Sequence, residues 1–250
     1  MSAMGAEGLW RDVSGQALYV LVAVGGAVLL PGRSLGARLG LGPGRLGAGR
    51  GALALVGFLA LSHALHGAVV ALGLLEGTTL AEIDQVVREA SPVHPGLVWL
   101  AMALGPAVGE ELLFRGFLLR LLASRWSGAL AVLGSAAAFG VAHLDWVHGA
   151  AAFLLGGYLG ALTQRAGSLR PALLCHVTNN SLAVAGSAGL MPELGTLGAA
   201  WQIAAALALA GGALAFLLRE PRLQAAEPPA DGGGVPRGPH EDDSSGPDRR

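Results

Sequence analysis

The chain has no lysine and a single cysteine, and only 13% of its 250 residues are charged. One cysteine, Cys175, excludes an intrachain disulfide and a cysteine metal cluster. A soluble globular domain usually carries about 25% charged residues, so the charges here are too few to cover a water-facing surface. The formal net charge of −1 excludes the basic footprint of a nucleic-acid-binding protein. No basic n-region with an A-x-A cleavage signal opens the chain, so its first apolar run reads as a retained span and not as a signal peptide.

What the chain has is apolar sequence in long runs. It is 53% hydrophobic, and a helix needs about 20 apolar residues to cross a bilayer. Seven runs approach that length: Val13–Leu30, Gly51–Leu75, Gly96–Leu119, Gly128–Leu144, Val147–Thr163, Leu169–Leu190 and Leu197–Leu218. The expected fold is all-α, a polytopic membrane bundle of about seven transmembrane helices. Arginines fall in every second connection: Arg33, Arg38, Arg45 and Arg50, then Arg120 and Arg125, then Arg165 and Arg170, then Arg219 and Arg222. The positive-inside rule then places the N-terminus outside and the C-terminus in the cytoplasm. An all-arginine basic set with 40 glycines suits a GC-rich bacterial genome and hence a bacterial inner membrane. The expected organisation is N-terminal spans and a basic cytoplasmic loop over residues 1–95, a core over 96–190, a last span over 191–219 and a disordered tail over 220–250. The Gly/Arg-rich loop Pro31–Arg50 reads as flexible and close to anionic headgroups.

Three runs carry polar residues that a span can hold only at a cost. Gly109-Glu110-Glu111-Leu112-Leu113-Phe114-Arg115 places three ionisable groups in one apolar segment, each costing about 2.5–3.5 kcal/mol near a helix centre. Glu111 and Arg115 are four apart and can pair. Glu110 is rotated about 100° from that pair by the helical period. It is either a general base or a pore-facing glutamate beside a structural ion pair. Phe139-Gly140-Val141-Ala142-His143 ends the fourth run, where His143 is structural or functional. Cys175-His176-Val177-Thr178-Asn179-Asn180 puts His176 and Asn180 on one face, to seal the bundle or to donate to a developing oxyanion.

In order, these read E-E-x-x-x-R, F-x-x-x-H and H-x-x-x-N. Together with Gly157-Tyr158-Leu159-Gly160 and the run Arg165–Pro171, they resemble the CPBP family of intramembrane proteases, which includes the CAAX prenyl protease 2 type. The resemblance covers roughly Gly96–Ala188. It implies an endopeptidase acting on membrane-anchored peptides or proteins, for CAAX-type, sorting-signal or leader processing. Glu110 would activate water together with His143, and His176 and Asn180 would stabilise the oxyanion. Glu111, Arg115 and Phe139 would support the site. The partners implied are that substrate and the lipid bilayer, with no nucleic acid.

The preferred mechanism needs no cofactor. The alternative is a metalloprotease with Zn²⁺ on Glu110, His143 and His176, since one Glu and two His equal a catalytic zinc set. No H-E-x-x-H is present, and a metal-bound Glu110 would not be free to act as base. The other functional classes are a transporter or proton relay, and a non-catalytic membrane scaffold. The missing inverted repeat counts against the transporter. Gly186-Ser187-Ala188-Gly189 is not the rhomboid G-x-S-G, and no span holds an aspartate. His63 and His66 read as core residues. Asp145 and His148 lie in an outer connection, either solvated or at the mouth of the site. One feature resists straight helices: at about 1.5 Å per residue, His176 lies roughly 9 Å above Arg170 while His143 lies roughly 25 Å above Arg125.

Overall fold

A backbone inside a bilayer must satisfy its own hydrogen bonds, and helices do so within one segment. The computed structural model of the chain describes residues 3–32, 34–191 and 199–219, and every regular element among them is helical. The expected tail 220–250 lies outside the described residues. In chain order the helices are α1 (Ala3–Gly26), α2 (Ala48–Ala71), α3 (Thr79–Ala90), α4 (Pro95–Ala123), α5 (Gly128–Val141), α6 (Trp146–Ala166), α7 (Arg170–Ser187) and α8 (Ala199–Arg219), with a short helical turn at Leu35–Arg38. Each of the seven apolar runs falls on a helix. Helices α2, α4 and α6 are long and apolar enough to cross a membrane, and shorter apolar stretches occupy Gly15–Leu29, Gly128–Val141 and Gln202–Phe216. Leu18, Leu21, Leu130, Leu133, Leu154, Leu174 and Leu207 point outward. On a bilayer protein that is the lipid-facing surface.

Helix ends follow local chemistry. Ser127 caps α5 and Asp145 caps α6, the latter accepting from the Val147 and His148 amides at 2.8 Å each. Gly167 closes α6 at φ +66°, a left-handed conformation that favours glycine. Pro95 opens α4, where a missing amide costs nothing.

Helix α7 is central: it contacts α2, α3, α4 and α6. Helix α1 lies along α4, and α8 along α2. The α5–α6 hairpin closes on bare backbone. A Cβ added at Gly140 would stand 2.7 Å from the Gly149 carbonyl oxygen, and one at Gly149 would stand 2.7 Å from that of Gly140. Small residues let the two helices approach this closely.

Three expectations are corrected. The loop Pro31–Arg50 is not a loose tether in its described part. Arg170 Nε donates to the Leu41 carbonyl at 2.6 Å and Ser168 Oγ to that of Gly42 at 2.7 Å. The Leu169 amide reaches the Gly40 carbonyl and the Arg45 amide that of Ala166. Backbone groups exposed by a Gly-rich loop thus find partners at the α6–α7 turn. Second, Thr79–Ala90, read as plain connection, is helix α3. Thr78 caps it, Arg88 pairs with Asp84 at 2.7 Å, and its inner face buries Val87 and Ala90 against Val98. Burial of Asp84 opposes its ionisation, but hydrogen bonds from Arg88 and Ser187 hold its carboxyl below the usual range. Third, His63 and His66 are exposed on α2 and form no part of the core.

Candidate active site

Glu110 and Glu111 sit where α4 changes its winding. Leu100–Leu104 and Glu111–Leu118 are wound as π-helix, with i→i+5 hydrogen bonds, around an α-helical piece at Gly105–Glu110. Wide turns of this kind are rare and concentrate at functional sites. The Leu119 amide closes such a turn onto the Phe114 carbonyl, which also accepts a 2.8 Å bond from buried Ser135 of α5.

The two glutamates have different neighbours. Glu111 is fully buried, and Arg115 is 1% exposed. Arg115 Nη1 donates to Glu111 Oε1 at 2.9 Å. His176 Nδ1 donates to the same oxygen at 2.9 Å. That bond leaves His176 Nε2 facing Glu110, 3.6 Å from its Oε2. Four ionisable groups from α4 and α7 therefore meet at one place. Glu111 and Arg115 compensate each other, while Glu110 and His176 face each other across a gap longer than a hydrogen bond.

Phe139 of α5 is the hub. The Arg115 guanidinium lies 4.3 Å over its ring centroid, a cation–π contact. The rings of Phe114, His143 and His176 stand at centroid distances of 5.1, 4.8 and 6.1 Å from it. Gly156 of α6 leaves the room this needs: a Cβ there would stand 3.0 Å from Phe139 and 3.1 Å from Arg115 Nη2. His143, one turn on from Phe139, binds the Phe139 carbonyl through Nδ1 at 2.8 Å. A carbonyl only accepts, so Nδ1 carries the proton and Nε2 is left free.

Asn180 lies one turn beyond His176 on α7, and its Oδ1 accepts a 3.4 Å bond from the side-chain Nδ2 of Asn179. Glu110, Glu111, Arg115, Phe139 and His176 are thus gathered into one cluster, with His143 at its outer edge against Phe139. Asn180 is placed on α7 near it without a bond to it among the described residues. The depth mismatch between His143 and His176 resolves at the start of α7. Ser168 and Leu169, just ahead of α7, are fully buried against residues 40–46, and further along the helix His176 meets the Phe139 ring at 6.1 Å.

Asp145 and His148, read as either solvated or at the mouth of the site, lie beside it, and Thr79, Tyr19 and Gln16, which the sequence reading did not assign, join them. His148 packs its ring on His143, with centroids 4.2 Å apart. Its Nδ1 is 2.8 Å from Thr79 Oγ1. Asp145, besides capping α6, accepts from the Thr79 amide at 2.8 Å. Burial opposes ionisation of Asp145, but the amides of Thr79, His148 and Val147 hold its carboxyl below the usual range. An Asp ahead of an apolar run is a capping signal and would have put His148 in the first turn of α6. Nothing in the sequence pointed to Thr79. From α1, Tyr19 stands edge-on to Phe114 at 5.9 Å. Gln16 lies against Gly109, where a Cβ would meet its Oε1 at 2.6 Å.

The residues were also tested as a metal site. Among the described residues no three His, Cys, Asp or Glu stand close enough to hold an ion. His143 and His176 each engage Nδ1 with a carbonyl or carboxylate and keep Nε2, the nitrogen a metal would use, while His143 sits at the outer edge of the cluster.

Residues 92–182 match the family described as type II CAAX prenyl endopeptidase, Rce1-like. The Rce1-like segment runs from just before α4 into α7 and contains Glu110, Glu111, Arg115, Phe139, His143, His176 and Asn180. It agrees with the resemblance carried by the three motifs. A family of this kind supports an integral membrane protein with intramembrane endopeptidase activity in general. No curated protein and no solved structure matches the chain.

Proposed function

We propose that the chain is an intramembrane endopeptidase in which Glu110 activates the attacking water and no metal takes part. The observation that carries this reading is the asymmetry of the two glutamates: Glu111 is compensated by Arg115 at 2.9 Å, whereas Glu110 faces the free edge of His176 at 3.6 Å. In a low-dielectric site a net charge is costly. The proposed charge balance puts the proton on His176, so that two carboxylates meet one guanidinium and one imidazolium and the cluster stays close to neutral.

In the reaction Glu110 takes a proton from water as its oxygen adds to the scissile carbonyl. The protonated His176 and the Asn180 amide donate to the resulting oxyanion. His143, with Nε2 free, orients the water. The C–N bond then breaks, and the proton held by Glu110 passes to the leaving amine. One water is consumed, and one carboxylic acid and one amine are released. The substrate is a membrane-anchored peptide or protein cut near the bilayer surface. The family's name specifies CAAX prenyl substrates, and in a bacterial membrane sorting signals and leader peptides present the same chemistry. The same reading places the arginine-bearing connections in the cytoplasm. A reporter fused after Arg222 will read cytoplasmic and one inserted at residues 76–78 external, the reverse pattern overturning this orientation.

The test of the metal-free reading is removal of metal. Purified protein will cleave a lipid-anchored, internally quenched peptide at an unchanged rate after exhaustive chelation, and elemental analysis will find no stoichiometric metal. Loss of activity on chelation with recovery on adding Zn²⁺ would replace Glu110 as base by metal-bound water.

A further inference from the structure

We infer that His148, anchored by Thr79, is a positioning residue that fixes the imidazole of His143. This rests on the proposed role of His143. The turn after His143 is strained: Leu144 has φ +55° and is the non-glycine residue at positive φ among those described. Its side chain is 91% exposed, so nothing that Leu144 itself packs against holds the turn. The strain is offset from both sides of it. On the chain side, Asp145 binds the Val147 and His148 amides and the Thr79 amide. On the ring side, His143 is held between the Phe139 ring at 4.8 Å and the His148 ring at 4.2 Å.

The Phe139 carbonyl fixes the Nδ1 tautomer of His143, but a single hydrogen bond leaves the ring free to tilt about it. His148 removes that freedom. Its own ring is fixed in turn, because Nδ1 meets the Thr79 hydroxyl at 2.8 Å. Thr79 is the first residue of α3, so the chain of contacts runs from α3 through His148 to His143 and Phe139. Helix α3 therefore bears on the reaction centre without touching it.

The experiment separates orientation from folding. Thr79→Val removes the hydroxyl and keeps the shape; Thr79→Ser restores the hydroxyl. His148→Phe keeps a ring against His143 and loses the anchor, and His148→Ala loses both. Cleavage of the quenched lipid-anchored peptide is measured alongside ¹⁵N-histidine NMR of the detergent-solubilised protein, with helical melting as the folding control. Thr79→Val and His148→Phe will lower kcat about 10- to 100-fold with KM unchanged, the scale of a misplaced catalytic group. His148→Ala will lower it further, and Thr79→Ser will recover most of the loss. In the NMR spectrum His143 will keep its Nδ1–H tautomer, and its ring signals will shift and broaden in Thr79→Val and return in Thr79→Ser. Wild-type kcat in Thr79→Val and His148→Ala, with His143→Ala inactive, would overturn the inference and leave the protease reading standing. If wild type cleaves nothing, the protease reading falls, and the NMR arm decides alone: an unchanged His143 signal in Thr79→Val and His148→Ala overturns the positioning role.

Discussion

Glu110→Gln will reduce cleavage of a membrane-anchored reporter by about 10²–10⁴-fold, the usual contribution of a general base. Melting in detergent will stay close to that of wild type. The amide has the carboxylate's shape and fits the same space beside Gly109 and His176, but it cannot take a proton from water. Its neutrality should not harm the fold, because the His176 contact at 3.6 Å is longer than a hydrogen bond and the imidazole can give up its proton once the carboxylate is gone. Loss of charge from a buried position relieves a desolvation cost. The two readouts together discriminate the rival classes. A variant that is stable and inactive has lost chemistry. A variant that cleaves like wild type shows that Glu110 is not the base. A wild-type protein that cleaves no substrate yet passes protons or solute across liposomes would belong to the transporter class instead.

Glu111→Gln will behave in the opposite way, with its largest effect on stability. Glu111 Oε1 accepts from both Arg115 and His176 at 2.9 Å, and the residue is fully buried. Gln retains an oxygen for His176 Nδ1 but leaves the Arg115 guanidinium, 1% exposed, without its counter-charge. Breaking one partner of a buried pair costs roughly 3–5 kcal/mol. Arg115→Met will cost a similar amount, because it strands the carboxylate and empties the space over Phe139. The double variant Glu111→Gln with Arg115→Met will be more stable than the sum of the single losses implies, since no orphaned charge remains. Thermal melts of the three variants form a double-mutant cycle that reads this directly. Additive losses would show that the pair at 2.9 Å contributes nothing by itself, and that the cluster is held by packing alone.

The contrast between these residues was legible from spacing. A four-residue offset pairs Glu111 with Arg115 whether the helix is wound at 3.6 or more residues per turn, so the π winding over Glu111–Leu118 did not mislead the pairing. Apolar run length likewise revealed each long helix, because a bilayer span is a property of composition over about 20 residues. What composition hides is contact between distant segments. Thr79 and His148 are 69 residues apart, and neither belongs to a periodic pattern that would join them. Helix α3 was missed for a related reason: its charged face, with Glu82, Gln85, Arg88 and Glu89, outweighs a narrow apolar stripe of Val87 and Ala90. The loop Pro31–Arg50 looked loose because glycine and arginine are common in disordered segments. Its order comes from carbonyls at 40–42 meeting donors at 168–170, which no local reading contains. His63 and His66 read as core by their apolar surroundings, but an apolar helix in a membrane has a lipid face as well as a packed one.

The buried start of α7 also bears on the order in which the protein comes to life. Ser168 and Arg170 bond to carbonyls 126 and 129 residues earlier in the chain, and contacts of such separation close late, after the segments between them have been inserted. A nascent chain ending before residue 167 already contains Glu110 and His143 yet has no His176 to face the glutamate. Only when the last central helix docks against residues 40–46 does the imidazole meet the Phe139 ring. On the roles proposed for these residues, a nascent chain short of α7 is chemically silent, and competence arrives only once α7 has docked.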